Sequence, residues 1–252
     1  MSTSMYVHGM STLVGRASLS AWPDGESTAL PKPDLTLLDR SLRRGLSDVT
    51  RIFMHVALGA LSDANALGTS PRVVFASAFG EIATAEAMLA QAFDDNSASP
   101  VRFRQSVHNT AEGLYSISAK NCEPATAIAA GWETVGMALL ESHAQLQCGA
   151  ASVLLVFAEE PVPHALSAEH RHGALGAAFL LSAQNGDQTR AILCAPARGE
   201  AHGLRAAFGV ENHPLGPALA LAQAIESAKA ATVIVGEGDK PYCVRVAPGG
   251  RA

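Results

Sequence analysis

SPVRFRQSVHNTAEGLYSISAKNCEPATAIAAGWETVGMALLES, running from Ser99 to Ser142, is the stretch that decides the fold. Ser106–Ala119 predicts a helix with small residues at Ala111, Gly113, Ser116 and Ser118, so that something can approach its backbone closely. After Pro124, Ala125–Ala129 predicts a short apolar strand. Trp132–Gln147 then predicts a second helix, with Trp132, Val135, Leu139, His143 and Leu146 on one stripe.

The same alternation extends in both directions. Towards the N-terminus, Met5–Leu13 predicts a first strand and Gly15–Pro33 an irregular surface segment rich in Ser, Pro, Gly and Asp. From Leu46, apolar residues recur at Val49, Ile52, Phe53, Val56, Ala60 and Leu67, a helical period with Ser47 as its N-cap. Arg72–Ser77 predicts a strand, and Ile82–Phe93 a helix. Towards the C-terminus, Ser152–Ala158 is an uninterrupted aliphatic run, the sign of a strand covered on both faces. Ala174–Ser182 and Ala191–Ala195 predict further strands. Asn212–Ala230 predicts a helix with Pro214 near its first turn, and Val233–Val235 and Tyr242–Val246 a closing strand pair. Strands alternating with helices indicate an α/β domain with a mainly parallel sheet covered on both faces.

Composition narrows the function. The 252 residues carry 18 Lys+Arg against 23 Asp+Glu, a net charge of −5, with 48% hydrophobic and 16% charged residues. Disorder is excluded, and nucleic-acid binding is disfavoured because phosphates require a basic face. The longest apolar run, Ala150–Ala158, is about half of the ~20 residues that cross a bilayer. The N-terminus lacks a basic region followed by an apolar stretch, so no secretory signal is expected. Cys122, Cys148, Cys194 and Cys243 form no CxxC pair, which suits thiols in a reducing cytoplasm.

Few residues suggest chemistry. Neither GxGxxG, GxxxxGK[ST] nor GxSxG occurs. Glu169-His170-Arg171-His172 reads as a solvated loop, with a metal site as the alternative, and no third ligand is specified. No cofactor is expected. His108-Asn109 falls within the expected helix and reads as a structural or interface pair. Cys122 stands beside Glu123, which disfavours a thiolate.

The Ser99–Ser142 stretch resembles the middle of β-ketoacyl-ACP synthases of the thiolase superfamily. There, a helix of the pattern S-P…V-N…G-x-x-S-I leads through a Gly-Pro turn and a short strand to T-A-C, whose Cys heads a buried helix. Aligned through Asn109, Gly113, Ile117, Pro124 and Ile128, the nucleophile position falls on Trp132. The family's thiol uses the helix N-terminus to lower its pKa and bind an oxyanion. An indole has an N–H and no nucleophile. The Gly-Pro turn reads Glu123-Pro124 here. A full synthase is about twice as long, and of its histidine motifs only His213-Pro214-Leu215-Gly216 is similar, read as helix-start chemistry. The combination resembles the short, chain-length-factor-like proteins with a β-ketoacyl synthase-like N-terminal domain, found in aryl polyene and xanthomonadin-type clusters. Leu42–Ser47, Val74–Ser77 with Gly80-Glu81, and Ser106–Asn109 agree with it.

The resemblance implies a thiolase-like layered αβα fold in one domain, 1–252. Residues 1–182 would be the N-terminal half of the ketosynthase fold and 183–252 a shortened C-terminal extension. It implies a non-catalytic subunit paired with a full-length synthase, meeting acyl carrier protein through the complex. For the chain alone the sequence leaves the oligomeric state open, a homodimer among the arrangements. Ser106, His108, Asn109 and the strand Ala125, Thr126, Ala127, Ile128 and Ala129 would form the interface, the strand running antiparallel to its counterpart. Thr110, Leu114 and Ile117 would border the acyl tunnel and set product length. The competing expectation is an autonomous acyl-thioester enzyme (thioesterase, transacylase or decarboxylase) with Cys122, His108 and Glu133 as its candidate groups. A third is a homodimeric binding protein that holds an acyl ligand without turnover.

Overall fold

The computed structural model describes residues 4–14, 46–97, 99–166, 172–200, 202–205 and 212–250, with isolated positions 35, 40 and 43. The expected surface segment 15–33 and most of the 169–172 His cluster lie outside the described residues. Among them, β1 (Ser4–Val14), α1 (Asp48–Asp63), β2 (Arg72–Ala76), α2 (Ile82–Asp95), α3 (Pro100–Gln105), α4 (Thr110–Ala119), β3 (Ala125–Ile128) and α5 (Thr134–Gln147) come first. They are followed by β4 (Ser152–Glu159), β5 (Leu175–Ser182), β6 (Ala191–Cys194), β7 (Ala197–Arg198), α6 (Gly216–Glu226), β8 (Ala231–Ile234) and β9 (Tyr242–Pro248).

All nine strands share one sheet, in the order β3-β2-β4-β5-β1-β6-β9-β7, with β8 also on β9. The expectation of a mainly parallel sheet is corrected. Only β3, β2 and β4 run parallel, each joined by a crossover containing a helix. β5 returns antiparallel to β4, β1 lies antiparallel to both β5 and β6, and β9 closes antiparallel on β6 and β8. The described residues between β4 and β5 form no helix, and a connection without a crossover brings the next strand back antiparallel. The uninterrupted apolar runs of β4 and β5 report burial on both faces, which is independent of direction.

Two cores flank the sheet. On one face α5 and α6 pack over Leu155, Phe157, Phe179 and Leu193. On the other, α1 and α4 cover Val73, Phe75, Leu154 and Val156. The α1 stripe lies where the period places it: Val49, Ile52, Phe53, Val56 and Ala60 are fully buried, and burial of each large side chain is worth about 1.5–3 kcal/mol. Ser47 caps the helix, its Oγ accepting from the Thr50 N–H at 3.2 Å. Phe53 meets Phe75 edge-on at 5.2 Å and Tyr115 of α4 at 5.9 Å, joining helix, sheet and helix.

Several boundaries differ from expectation. α1 ends at Asp63, and Leu67 lies beyond it, half exposed. The helix expected over 106–119 begins only at Thr110: residues 106–109 form a turn, and a separate helix, α3, ends before it at Gln105. The Ser106 N–H and Oγ both donate to the Phe103 carbonyl, and the Thr110 N–H and Oγ1 both donate to the Val107 carbonyl. Hydroxyls that take up backbone carbonyls in this way compete with helix continuation. His108 and Asn109 therefore sit in a turn, Asn109 at the N-cap of α4. The helix expected over 212–230 is shorter at both ends.

Candidate functional site

After β3 the chain passes Gly131, whose φ of 56° lies in the left-handed region that favours glycine. A single 3-10 turn, Gly131–Glu133, then enters α5. Thr134 fixes this entry: its Oγ1 donates to the Gly131 carbonyl at 2.7 Å and accepts from the Ala130 N–H at 3.0 Å. Trp132 thus stands at the start of the buried helix, within the 3-10 turn and 37% exposed. Its stripe partners Val135, Leu139 and Leu146 are buried beneath it.

The Trp132 side chain lines a cleft of about 250 Å³ shared with Arg205, His213, Pro217, Ile234 and Glu237. The sequence reading assigned His213 to the start of a helix, and it does precede α6, but the fold also brings it to this cleft. Its Nδ1 accepts from the Leu215 N–H at 3.0 Å, so the hydrogen is assigned to Nε2, which donates to the Gly173 carbonyl at 3.0 Å. Both ring nitrogens are occupied. Burial, with the His172 ring at 4.5 Å, holds its pKa down to about 3, so the ring is neutral.

Cys122, His108 and Glu133 are not joined by hydrogen bonds. Cys122 is exposed. His108 Nε2 is 3.3 Å from the Ile128 carbonyl, its ring lies 5.6 Å from Phe75, and burial lowers its pKa. Glu133 Oε1 accepts from the Glu237 N–H at 2.9 Å, bracing the turn after β8. Among the described residues no group of three His, Cys, Asp or Glu is placed to hold a metal, and no helix is long and apolar enough to cross a membrane.

The other face of the region is a free edge. β3 pairs with β2 on one side and ends the sheet on the other, so among the described residues one row of its backbone groups has no strand partner. Ala125 is exposed, Thr126, Ala127 and Ile128 are half-buried, and Ala129 lies just past the strand, exposed. Thr126 Oγ1 accepts from Gln145 Nε2 at 3.3 Å. On α4, Thr110, Leu114 and Ile117 fall on one stripe. Thr110 turns its hydroxyl back onto the 105–107 carbonyls, Leu114 packs half-buried against the α1 core, and Ile117 is 70% exposed. Of the small residues, Ala111 faces the core, whereas Gly113 is exposed with open space where a Cβ would stand.

The sequence reading did not single out the apolar surface of α2 and α3. Neither helix has a fully buried residue, and Leu89, Phe93, Val101 and Phe103 are exposed, Phe93 by 86%. A helical stripe that should face a core but finds none was the available signal.

Gly80 packs against the 106–109 turn. Its φ is 61°, and a Cβ there would stand 2.5 Å from His108 Nδ1. Gly80→Ala is expected to cost about 1–3 kcal/mol through strain and displacement of the imidazole. A thermal melt equal to that of the unchanged protein would contradict this packing.

The family model described as "Beta-ketoacyl synthase, N-terminal domain" matches residues 18–240. The chain belongs to that family. The match starts later and extends further than the resemblance read from the sequence, taking in His213 and β8. No curated protein matches the chain. Among solved structures, this family member is similar to a ketosynthase (ApeO) in complex with its chain length factor (ApeC) from Xenorhabdus doucetiae, at 18% identity and a TM-score of 0.70, covering 97% of this chain and 99% of that one. It is similar to the ishigamide ketosynthase/chain length factor at 16% identity and a TM-score of 0.69, covering 96% and 98%. A type II acyl-carrier protein complex with its hexaketide-bound ketosynthase, AntDE:AntF, aligns at 10% identity and a TM-score of 0.70, covering 99% and 100%. At these identities the likeness is one of fold: a thiolase-like, ketosynthase-type layered α/β fold.

Proposed function

We propose that this chain is a chain-length-factor-like subunit, silent by itself, that pairs with a full-length β-ketoacyl-ACP synthase. The pair would extend fatty-acid or polyketide-type chains of the aryl polyene kind in the cytoplasm, with acyl carrier protein meeting the complex. The reading rests on the resemblance that aligns Trp132 with the family's thiol, and one observation supports it: Trp132 stands at the entry of α5, and His213, which shares its cleft, has both ring nitrogens engaged. A condensing enzyme needs a nucleophile and a base with a free nitrogen. The printed descriptions of the similar ketosynthase/chain-length-factor structures support the pairing.

The interface follows from the free edge. β3 can extend the sheet into a partner strand, Gly113 leaves room for another backbone, and Ile117 together with the exposed apolar residues of α2 and α3 supplies hydrophobic surface. Co-expression with a full-length synthase should yield a stable heterodimer that elongates acyl chains with malonyl units, releasing CO2. The chain alone, given acyl- and malonyl-carrier protein, should yield nothing. Turnover by the isolated chain, abolished by Cys122→Ala or His108→Ala, would favour an autonomous enzyme instead.

In this arrangement the α4 stripe borders the growing acyl chain. Thr110→Phe or Leu114→Phe should shift the complex to products shorter by at least one extension unit, read by mass spectrometry. An unchanged length distribution from a complex of normal stability would remove these residues from the gate.

A further inference from the structure

The β5–β6 connection carries an Asn-Gly pair, Asn185-Gly186, and Asn185 is exposed. Glycine has no Cβ, so its nitrogen can approach the preceding side-chain amide carbon without steric hindrance. The pair is pinned on both sides. Before it, the Gln184 N–H donates to Ser182 Oγ at 2.9 Å, and His8 Nε2 lies 3.2 Å from the Gln184 carbonyl. After it, the Gly186 N–H donates to Thr189 Oγ1 at 3.0 Å, and the Gly186 carbonyl accepts from the Thr189 N–H at 2.9 Å.

Thr189 is itself fixed. It is fully buried, and the next residue, Arg190, donates its N–H to the Val7 carbonyl of β1 at 2.7 Å. The Arg190 carbonyl accepts from the Gly249 N–H at 2.9 Å, and Gly249 lies so close that no Cβ would fit beside the Thr189 carbonyl. The hydroxyl that holds Gly186 is thus anchored to the sheet. β5 ends with Ser182 opposite Ser152, the first residue of β4, so this turn lies at the end of the sheet opposite to the one where Trp132 follows β3.

We propose that Asn185 is a deamidation site that the Gly186–Thr189 turn holds closed, so that it reacts only when the turn opens. In the reaction the Gly186 nitrogen loses its proton and attacks Cγ of Asn185. The new N–Cγ bond replaces the bond from Cγ to the amide nitrogen, ammonia leaves, and a succinimide remains. One water then opens the ring at either carbonyl, giving Asp or isoAsp. Each product adds one negative charge, and isoAsp also lengthens the backbone by one carbon. The turn opposes the first step twice. The proton that must leave Gly186 is the one donated to Thr189 Oγ1, and a hydrogen bond to the protonated form disfavours its loss. The two bonds across the turn also resist the rotation that attack requires. The site stands whether or not the chain pairs with a synthase.

Timed incubation of the full chain at mildly alkaline pH tests it, folded in buffer and unfolded in guanidinium chloride. The peptide spanning residues 185 and 186 is followed by its mass and by separation of its Asp and isoAsp forms. Conversion should be about tenfold or more slower in the folded chain, because only the opened fraction reacts. Thr189→Val keeps the side-chain shape, removes the acceptor, and should speed conversion in the folded chain about fivefold. No conversion in the unfolded chain overturns the site, and equal rates in the folded and unfolded chains overturn its closure. A folded Thr189→Val chain that reacts at the unchanged rate overturns the part given to the hydrogen bond. If Thr189→Val does not fold, amide exchange of the unchanged protein decides. A protected Gly186 amide supports the closed turn, and one that exchanges as fast as in a free peptide overturns it.

Discussion

Ala127→Pro should leave the chain folded and abolish the complex proposed with a full-length synthase. The Val73 N–H donates to the Pro124 carbonyl and the Ser77 N–H to the Ile128 carbonyl, both at 3.1 Å. Those even-numbered residues therefore face β2, and the two-residue alternation of a strand turns the Ala125 and Ala127 N–H groups to the free edge. Proline at 127 removes an outward donor and places a ring on the edge, while every bond to β2 survives. Edge strands tolerate this residue, and central ones do not. If β3 pairs with a partner strand, affinity should drop a hundredfold or more, about 3 kcal/mol. Ala127→Ser, which keeps the N–H, should bind normally. Size exclusion and calorimetry with the co-expressed synthase read the difference. A proline variant that binds as tightly as the unchanged chain would place the interface elsewhere.

The second large effect is on stability against pH. Burial pushes Glu112 and Glu160 up to about 7 and Glu159 up to about 8, from a usual value of 4.5. Above about 4.5 the unfolded chain releases protons that the folded one keeps, so stability falls as pH rises until the folded groups ionise. His213 acts in the opposite sense. Its folded pKa is about 3 against 6.5, so stability is complete above 6.5 and is lost as pH falls towards 3. Between about 4.5 and 6.5 the two oppose each other; above 6.5 the carboxyls act alone, and below 4.5 the histidine does. The melting temperature should therefore peak on the acid side of neutrality and decline towards pH 8. Glu159→Gln should reduce that decline. A flat profile between about pH 6 and 8.5 would mean that these carboxyls are ionised in the fold without penalty.

Much of the fold was legible locally. The α1 period and its Ser47 cap, the covered strands β4 and β5, and the closing pair of β8 and β9 all follow from the spacing of apolar residues, because burial imposes a period on side chains before any partner is named. Strand direction was not legible. A side chain covered on both faces looks the same in a parallel or an antiparallel ladder, and only the pairing of β5 with β4 decided it. The turn at 106–109 was missed because its hydroxyl-to-carbonyl bonds are local choices that residue type permits without requiring.

For the site, residue identities alone supplied the expectation that Trp132 stands where relatives carry a thiol, since a resemblance in order and spacing is read without coordinates. The rest needed the tertiary structure. Trp132 and His213 share a cleft although 80 residues of chain separate them. The histidine's silence depends on the Gly173 carbonyl and the Leu215 N–H, backbone groups that every residue possesses, proline's missing N–H aside, and that no motif can mark. β3 became a free edge only when the remaining strands took places on its other side. Side-chain chemistry is written along the chain, whereas the availability of a nitrogen or of a strand edge depends on which backbone groups the fold has already used.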